Sequence, residues 1–211
     1  MPTFTAPYDT PSSWTTSGTS VTISSNLANF DCDPNSSTDT SYAEVATGST
    51  FAESWTLNIT FNMLTNPNGG EPNPPWGGEG MWAMVSDTSG NPSSGSGSRI
   101  AFGIYGNKAV IWWSNNSTAM SVSTDKIDIS PATTYNAVLS RVDETTVTLT
   151  IGEDSITQTI PDLPDMDKFI HAVRTGNSSG QTYTGYFSSV STGTPATTTA
   201  RLPPPPLVVH F

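Results

Sequence analysis

Residues 99–114, RIAFGIYGNKAVIWWS, predict a β-hairpin whose register follows from its turn. The dipeptide Gly106-Asn107 adopts positive φ at low energetic cost, which suits a two-residue hairpin turn. A turn at this point pairs Ala101 with Trp112, and side-chain alternation then assigns each residue to a face of the hairpin. The core face carries Ile100, Phe102, Ile104, Ile111 and Trp113. The other face carries Ala101, Gly103, Tyr105, Val110 and Trp112.

On that second face, Trp112 and Tyr105 stand beside the small residues Ala101 and Gly103. We expect an aromatic shelf on which a flat ligand such as a sugar ring could lie, because aromatic rings stack on apolar sugar faces while polar neighbours bind the hydroxyls. The candidate ligand-binding residues are Trp112, Tyr105, Trp76 and Trp82, with Asn115 and Asn116 as hydrogen-bonding partners. In the alternative, Trp112 packs beneath a loop or inside an oligomer interface, and the sequence favours neither interpretation.

The rest of the chain also predicts short strands and no long helix. In residues 55–64, WTLNITFNML, apolar and polar residues alternate, which is typical of a strand with one buried and one solvent-exposed face. The 211 residues correspond to one domain, and no long stretch has an apolar period of 3.6 residues. Charged residues make up 12% of the chain, about half of the ~25% usual in soluble domains. Abundant Ser and Thr, with 17 Gly and 17 Pro, favour strands joined by turns.

Composition argues against several partners. A net charge of −11 with seven basic residues excludes the clustered cations that nucleic-acid binding needs. The single cysteine, Cys32, cannot form an internal disulfide. The start of the chain lacks the basic and apolar parts of a signal peptide, and no apolar run approaches a membrane span. The composition is nonetheless typical of extracellular proteins, so we expect a virion-surface or extracellular protein. A trimmed leader, or an intracellular protein of a high-salt organism, would explain the same features.

Three segments carry a family resemblance: AESWTLNITFNM at 52–63, SPATTYNAVLSRVDETTVTLTIGEDSITQTI at 130–160, and TGYFSSVS at 184–191. Together they resemble the concanavalin A-like lectin/glucanase superfamily, close to its laminin-G-like members. The resemblance implies an all-β, antiparallel two-sheet jelly-roll sandwich over residues 14–191, whose concave face and rim loops bind glycans in many members. Residues 1–13 are then an extended N-terminal arm, and residues 192–211 a Thr/Pro-rich linker and tail.

The sequence predicts no catalytic residues. Glycosidases of this superfamily carry paired carboxylates in an E-x-D-x-x-E strand motif, and no such spacing occurs here. His171 and His210 have no evident partner for nucleophilic catalysis. No cofactor is expected; weak calcium candidates are the loop carboxylates Asp162, Asp165 and Asp167, or alternatively Asp31, Asp33 and Asp39.

The C-terminal residues 201–211, RLPPPPLVVHF, read as a polyproline II spacer followed by an apolar end. The predicted docking residues are Leu207, Val208, Val209 and Phe211, and the alternative is a disordered tail. The leading hypothesis is a non-enzymatic structural protein of the virion surface, a homo-oligomer anchored to other virion proteins by its terminal arms and contacting cell-surface glycans. A free carbohydrate-binding module is the alternative, and a glycoside hydrolase comes third.

Overall fold

The computed structural model describes residues 2–32, 40–64, 80–89, 97–116, 121–174 and 183–193. These residues form fifteen strands and one short 3₁₀ turn at Pro11–Ser13. The strands are β1 Thr15–Ser17, β2 Val21–Ser24, β3 Leu27–Cys32, β4 Thr40–Phe51, β5 Trp55–Met63, β6 Gly80–Ser86, β7 Arg99–Tyr105, β8 Lys108–Ser114, β9 Ser121–Val122, β10 Ile127–Asp128, β11 Thr133–Arg141, β12 Thr146–Ile151, β13 Asp154–Thr159, β14 Met166–Arg174 and β15 Tyr183–Thr192. In these ranges no helix has the length and apolar character to cross a membrane.

The strands form two antiparallel sheets. The eight-stranded sheet has the order β1-β4-β14-β6-β7-β8-β10, with β9 paired to β8. The seven-stranded sheet has the order β13-β12-β11-β5-β15-β3-β2. Because neighbours in both sheets are often far apart in the chain, the polypeptide passes repeatedly from one sheet to the other. This arrangement confirms the predicted all-β, two-sheet jelly-roll sandwich.

The apolar core lies between the two sheets, where the alternating strands place their apolar side chains. In β5, Trp55, Leu57 and Phe61 are buried, while the intervening Thr and Asn side chains point outward. Leu57 lies opposite Leu139 of β11, so the inward positions of neighbouring strands pack side by side. The predicted strand at residues 55–64 is thereby confirmed to within one residue.

The N-terminal residues 2–13 pack against the sandwich. The side chains of Phe4, Tyr8 and Trp14 are buried in the main core. The N–H of Thr192 donates to the carbonyl oxygen of Phe4 at 2.8 Å, and Ala6 makes a similar bond to Val190. Residues 2–13 therefore bury their apolar side chains within this chain, and do not project as a free arm.

The predicted hairpin of residues 99–114 is confirmed with its register. Ala101 lies opposite Trp112 and Phe102 opposite Ile111, and Gly106 in the turn has a φ of +55°. Ile100, Phe102, Ile104 and Ile111 point into the main core, and Trp113 packs against it. The hairpin thus divides its side chains between core and outer face as the alternation predicted.

Candidate functional site

A second apolar cluster lies on the outer face of the eight-stranded sheet, on the side away from the main core. We call it the outer cluster. Its members are Trp82, Met84, Ala101, Val110, Trp112, Ile170 and Ala172, from β6, β7, β8 and β14. Half-buried Tyr42 of β4 and Val122 of β9 pack against it. A two-layer sandwich needs one apolar core, between its sheets. An additional aromatic cluster on an outer face therefore identifies this face as the candidate site.

Two tryptophans dominate the outer cluster. The ring centroids of Trp82 and Trp112 are 6.1 Å apart and their planes are perpendicular, a favourable edge-to-face arrangement. Both rings lie on the backbone of Gly103: a Cβ atom at that position would be 2.1 Å from Cδ1 of Trp112 and 2.9 Å from Cδ1 of Trp82. Glycine is thus the residue that lets the two indoles meet over β7.

The small residues lie beneath an aromatic ring, as expected, but that ring belongs to the protein. Trp112 is 1% exposed, Trp82 3% and Tyr105 8%. The space above Gly103 is occupied by the indole of Trp112 itself. The face consequently presents a packed aromatic cluster in this conformation, with no open shelf at Trp112. A role for these side chains in ligand binding stays a prediction.

The outer cluster contains two buried donors. The indole Nε1 atoms of Trp82 and Trp112 are inaccessible and have no hydrogen-bond acceptor within the described ranges. Leaving a buried donor without a partner costs about 1–3 kcal/mol, and the large majority of such groups in folded proteins have a partner. The two N–H groups are therefore suited to a ligand that brings acceptor oxygens to this face.

Charged and polar groups surround the outer cluster. Arg99 is fully buried on the same face of β7, between Ser86 of β6 and Ser114 of β8. Burial lowers the pKa of its guanidinium, and the negative charge of Asp87 acts in the opposite direction. Half-buried Glu44 lies outward on β4, two residues beyond Tyr42. The sequence alone does not identify Arg99, Tyr42 or Glu44 as neighbours of this cluster, because their proximity depends on the pairing of strands that are distant in the chain.

The remaining candidate ligand-binding residues do not all lie near Trp112. Asn115 and Asn116 are exposed just after β8, and the backbone N–H of Asn116 donates to Oγ of Ser98 at 3.2 Å. Tyr105 lies at the far end of β7, opposite Lys108. Trp76 and the tail residues Leu207, Val208, Val209 and Phe211 lie outside the described residues. The structure therefore brings Trp82 and Trp112 together, with the two asparagines at the end of the strand that carries Trp112.

The buried histidine has a structural environment. Nε2 of His171 is 2.5 Å from the hydroxyl oxygen of Tyr8, and the imidazole stacks on Trp14 and Phe187. Burial lowers the pKa of His171 to about 3, although a hydrogen bond with the backbone of Trp82 acts in the opposite direction. The ring is neutral at ordinary pH and ties the N-terminal segment to β14. His210 lies outside the described residues.

The described carboxylates do not assemble a calcium site. Oδ1 of Asp162 accepts a hydrogen bond from the buried guanidinium of Arg141 at 3.1 Å. Asp167 pairs with Lys168 at 2.7 Å, and Asp165 is exposed. Across the part of the chain that the structure describes, no three His, Cys, Asp or Glu side chains are grouped so that they could hold a metal ion. Asp33 and Asp39 of the alternative set lie outside it.

No protein-family model matches this sequence, and no curated protein matches it. Solved structures do match the fold. The carbohydrate-binding module CBM66 from Bacillus subtilis is 12% identical with a TM-score of 0.56, over 86% of this chain and 96% of that chain. Lectin UEA-II in complex with galactose is 13% identical with a TM-score of 0.57, over 86% and 92%. The exoplasmic/lumenal domain of VIP36, in its Ca²⁺/Man3GlcNAc-bound form, is 14% identical with a TM-score of 0.60, over 91% and 87%. The chain accordingly has the fold of the concanavalin A-like lectins.

Proposed function

We propose that this chain is a non-catalytic carbohydrate-binding domain whose ligand site is the outer face of the eight-stranded sheet. The observation that carries the proposal is the Trp82–Trp112 pair, with two buried indole N–H groups that lack an acceptor within the described residues. The similar structures support the ligand class, since one is a carbohydrate-binding module and two are complexes with galactose and with Man3GlcNAc. Sugar hydroxyls supply the acceptor oxygens that the two donors lack.

The residues of this face would have different roles. Trp112 is 1% exposed, so a sugar reaches its indole only when the outer cluster opens. The accessible groups therefore make the first contacts: the side chains of Tyr42 and Glu44 on one side, and those of Asn115 and Asn116 at the end of β8. The indoles form the floor, where C–H groups of a sugar ring pack well and the N–H groups donate to hydroxyls.

A structural role on a virus particle, with other virion proteins as partners and a homo-oligomeric state, stays a prediction. It depends on the docking residues Leu207 to Phe211, which lie outside the described residues. Within residues 2–13, the apolar side chains of Phe4, Ala6 and Tyr8 are buried in this chain. The described residues thus favour glycan binding over anchoring as the function to be tested first.

A glycan-array screen of the full chain, followed by titration of the best glycan, tests this proposal. Trp112→Phe keeps a ring over Gly103 but removes the N–H, so we expect affinity to fall about 2–12-fold, the value of one hydrogen bond. Trp112→Ala is unsuitable because truncating so large a buried side chain costs about 3–5 kcal/mol of stability. Trp112→Ala would therefore not separate a loss of binding from a loss of stability.

Trp55→Phe is the matched control. Nε1 of Trp55 is also buried without a partner within the described residues, but Trp55 lies in the main core between the sheets. This variant should bind the selected glycan as the unmodified chain does. The proposed function would be contradicted if no glycan on the array bound the chain, or if Trp55→Phe and Trp112→Phe lost equal amounts of affinity.

A further inference from the structure

Residues 4–6 occupy a strand position in the seven-stranded sheet that β3 leaves open. β3 pairs with β15 as far as Phe187, and residues 4–6 bind the same edge of β15 farther along, at residues 190–192. There Thr5 lies opposite Ser191 in an antiparallel bridge. We call the position beside residues 190–192 the strand slot. An extended segment that enters it completes the hydrogen bonding of β15 at this end of the sheet.

The side chains of the entering segment fill the space between the two sheets. The ring of Phe4 packs on Phe169 of β14, with a centroid distance of 5.1 Å. Four residues later, the hydroxyl of Tyr8 is hydrogen-bonded to Nε2 of His171 at 2.5 Å. When a strand is added to a sheet, backbone hydrogen bonds supply affinity and pockets for alternate side chains supply specificity. The strand slot therefore selects a segment with aromatic residues at these two positions.

The turn at Pro11–Ser13 joins this segment to β1 and contributes little to its docking. All three residues of the turn are exposed. The N–H of Ser13 donates to the carbonyl oxygen of Thr10 at 3.0 Å, so this bond lies within the turn. Thr10 precedes a proline, and such residues favour extended backbone. Opening the turn thus uncovers no buried side chain of the turn itself, and water replaces its hydrogen bonds.

A segment held by contacts outside its hinge can make the same contacts in a second copy of the chain. Exchange of an identical element between two copies preserves those contacts. The closed chain and the exchanged dimer then differ at the hinge and in the freedom lost on association, so the chain concentration decides between them. We infer that the strand slot is a docking site for residues 4–8 of a second copy, and that the chain dimerises by reciprocal exchange of this segment.

Disulfide formation between two variants of the full chain tests the inference. Both variants carry Cys32→Ser, which removes the one native thiol; one also carries Thr5→Cys and the other Ser191→Cys. Thr5 and Ser191 form a non-hydrogen-bonded pair, whose Cα atoms are about 4.5 Å apart in such sheets, within the range of a disulfide. The variants are mixed at high concentration, warmed to below the unfolding temperature and oxidised. Mass spectrometry then measures the mixed disulfide, which joins the segment of one copy to β15 of another.

Ser189→Cys is the matched control for Ser191→Cys. Ser189 is exposed, whereas Ser191 is half-buried, and the two residues are two positions apart on β15. Random collisions should therefore link Thr5→Cys to Ser189→Cys at least as readily as to Ser191→Cys. Thiols held in a pair have an effective concentration of millimolar or more, so we expect about tenfold more mixed disulfide with Ser191→Cys than with Ser189→Cys.

Equal yields from the two mixtures, or no mixed disulfide in either, would overturn the inference. A single chain that carries both Thr5→Cys and Ser191→Cys should form an internal disulfide when it is dilute, because its own segment then occupies the slot. If this disulfide did not form, the pairing in the strand slot would itself be rejected. Glycan binding does not enter any of these measurements, so this inference and the proposed function can fail independently.

Discussion

At the scale of single residues, Gly103 determines how closely two tryptophans approach the eight-stranded sheet. A methyl group there would lie 2.1 Å from the ring of Trp112, a distance that forces the indole to move. We expect Gly103→Ala to destabilise the fold by about 1–3 kcal/mol, as overpacking does elsewhere. Urea unfolding at neutral pH measures this difference. Loss of glycan affinity should accompany it, because the displaced indole carries one of the two free donors.

Gly193→Ala provides the comparison. At that position a Cβ atom would be 3.4 Å from Nδ2 of Asn58, which is close to an ordinary contact, so stability should change by less than about 0.5 kcal/mol. If Gly103→Ala were equally mild, the two indoles would not rest on the backbone of β7. In that case Gly103 would not determine the position of the two indoles that form the floor of the proposed site.

At the scale of elements, the local alternation of apolar and polar residues predicts a hairpin well. It does not predict which distant strands pack beside that hairpin. The hairpin of β7 and β8 follows from alternation and a short turn, since both of its strands lie within residues 99–114. Alternation also assigns Trp112 to the outer face. It does not reveal that Ile170 and Ala172 of β14 pack on that face, because pairing of β6 with β14 joins residues far apart in the chain. Which side chains make up the outer cluster depends on that distant pairing.

The N-terminal segment is a second element whose role depends on distant contacts. The Phe4 ring packs on Phe169 at a centroid distance of 5.1 Å, and the neighbouring Thr5 is exposed. Phe4→Ala should therefore cost about 3–5 kcal/mol of unfolding free energy, and Thr5→Ala less than about 0.5 kcal/mol, measured by urea denaturation of each purified variant. If residues 2–13 acted as a free docking arm, neither change would alter stability.

At the scale of the whole molecule, the two outer faces of the sandwich differ in chemistry. One face carries a buried aromatic cluster with Arg99 at its end, and the other a charge-free array of hydroxyls and amides. The amino-acid composition does not identify either face, because low charge and abundant Thr are averages over the whole chain. Separating the faces required the strand order, which brings β5, β11 and β12 together in one sheet and β6, β7, β8 and β14 in the other.

Acid sensitivity is the property of the whole molecule that the buried histidine predicts. In the folded chain the pKa of His171 is lowered to about 3 from its ordinary value of 6.5, with burial as the main cause. Between these values the unfolded chain binds a proton that the folded chain does not, so stability is full above about pH 6.5 and falls as the pH falls. At pH 5 the loss is about 2 kcal/mol relative to pH 7.5, since one pKa unit corresponds to about 1.4 kcal/mol.

Urea unfolding at pH 7.5 and pH 5 measures this loss, and a double variant isolates its source. Tyr8→Phe with His171→Leu removes both members of the buried hydrogen bond, so neither an orphaned hydroxyl nor a titrating ring is left in the core. The double variant should lose about 2 kcal/mol less between the two pH values than the unmodified chain. Equal losses in the two proteins would mean that the imidazole is not the origin of the acid sensitivity, and that the bond between the N-terminal segment and β14 does not titrate in this range.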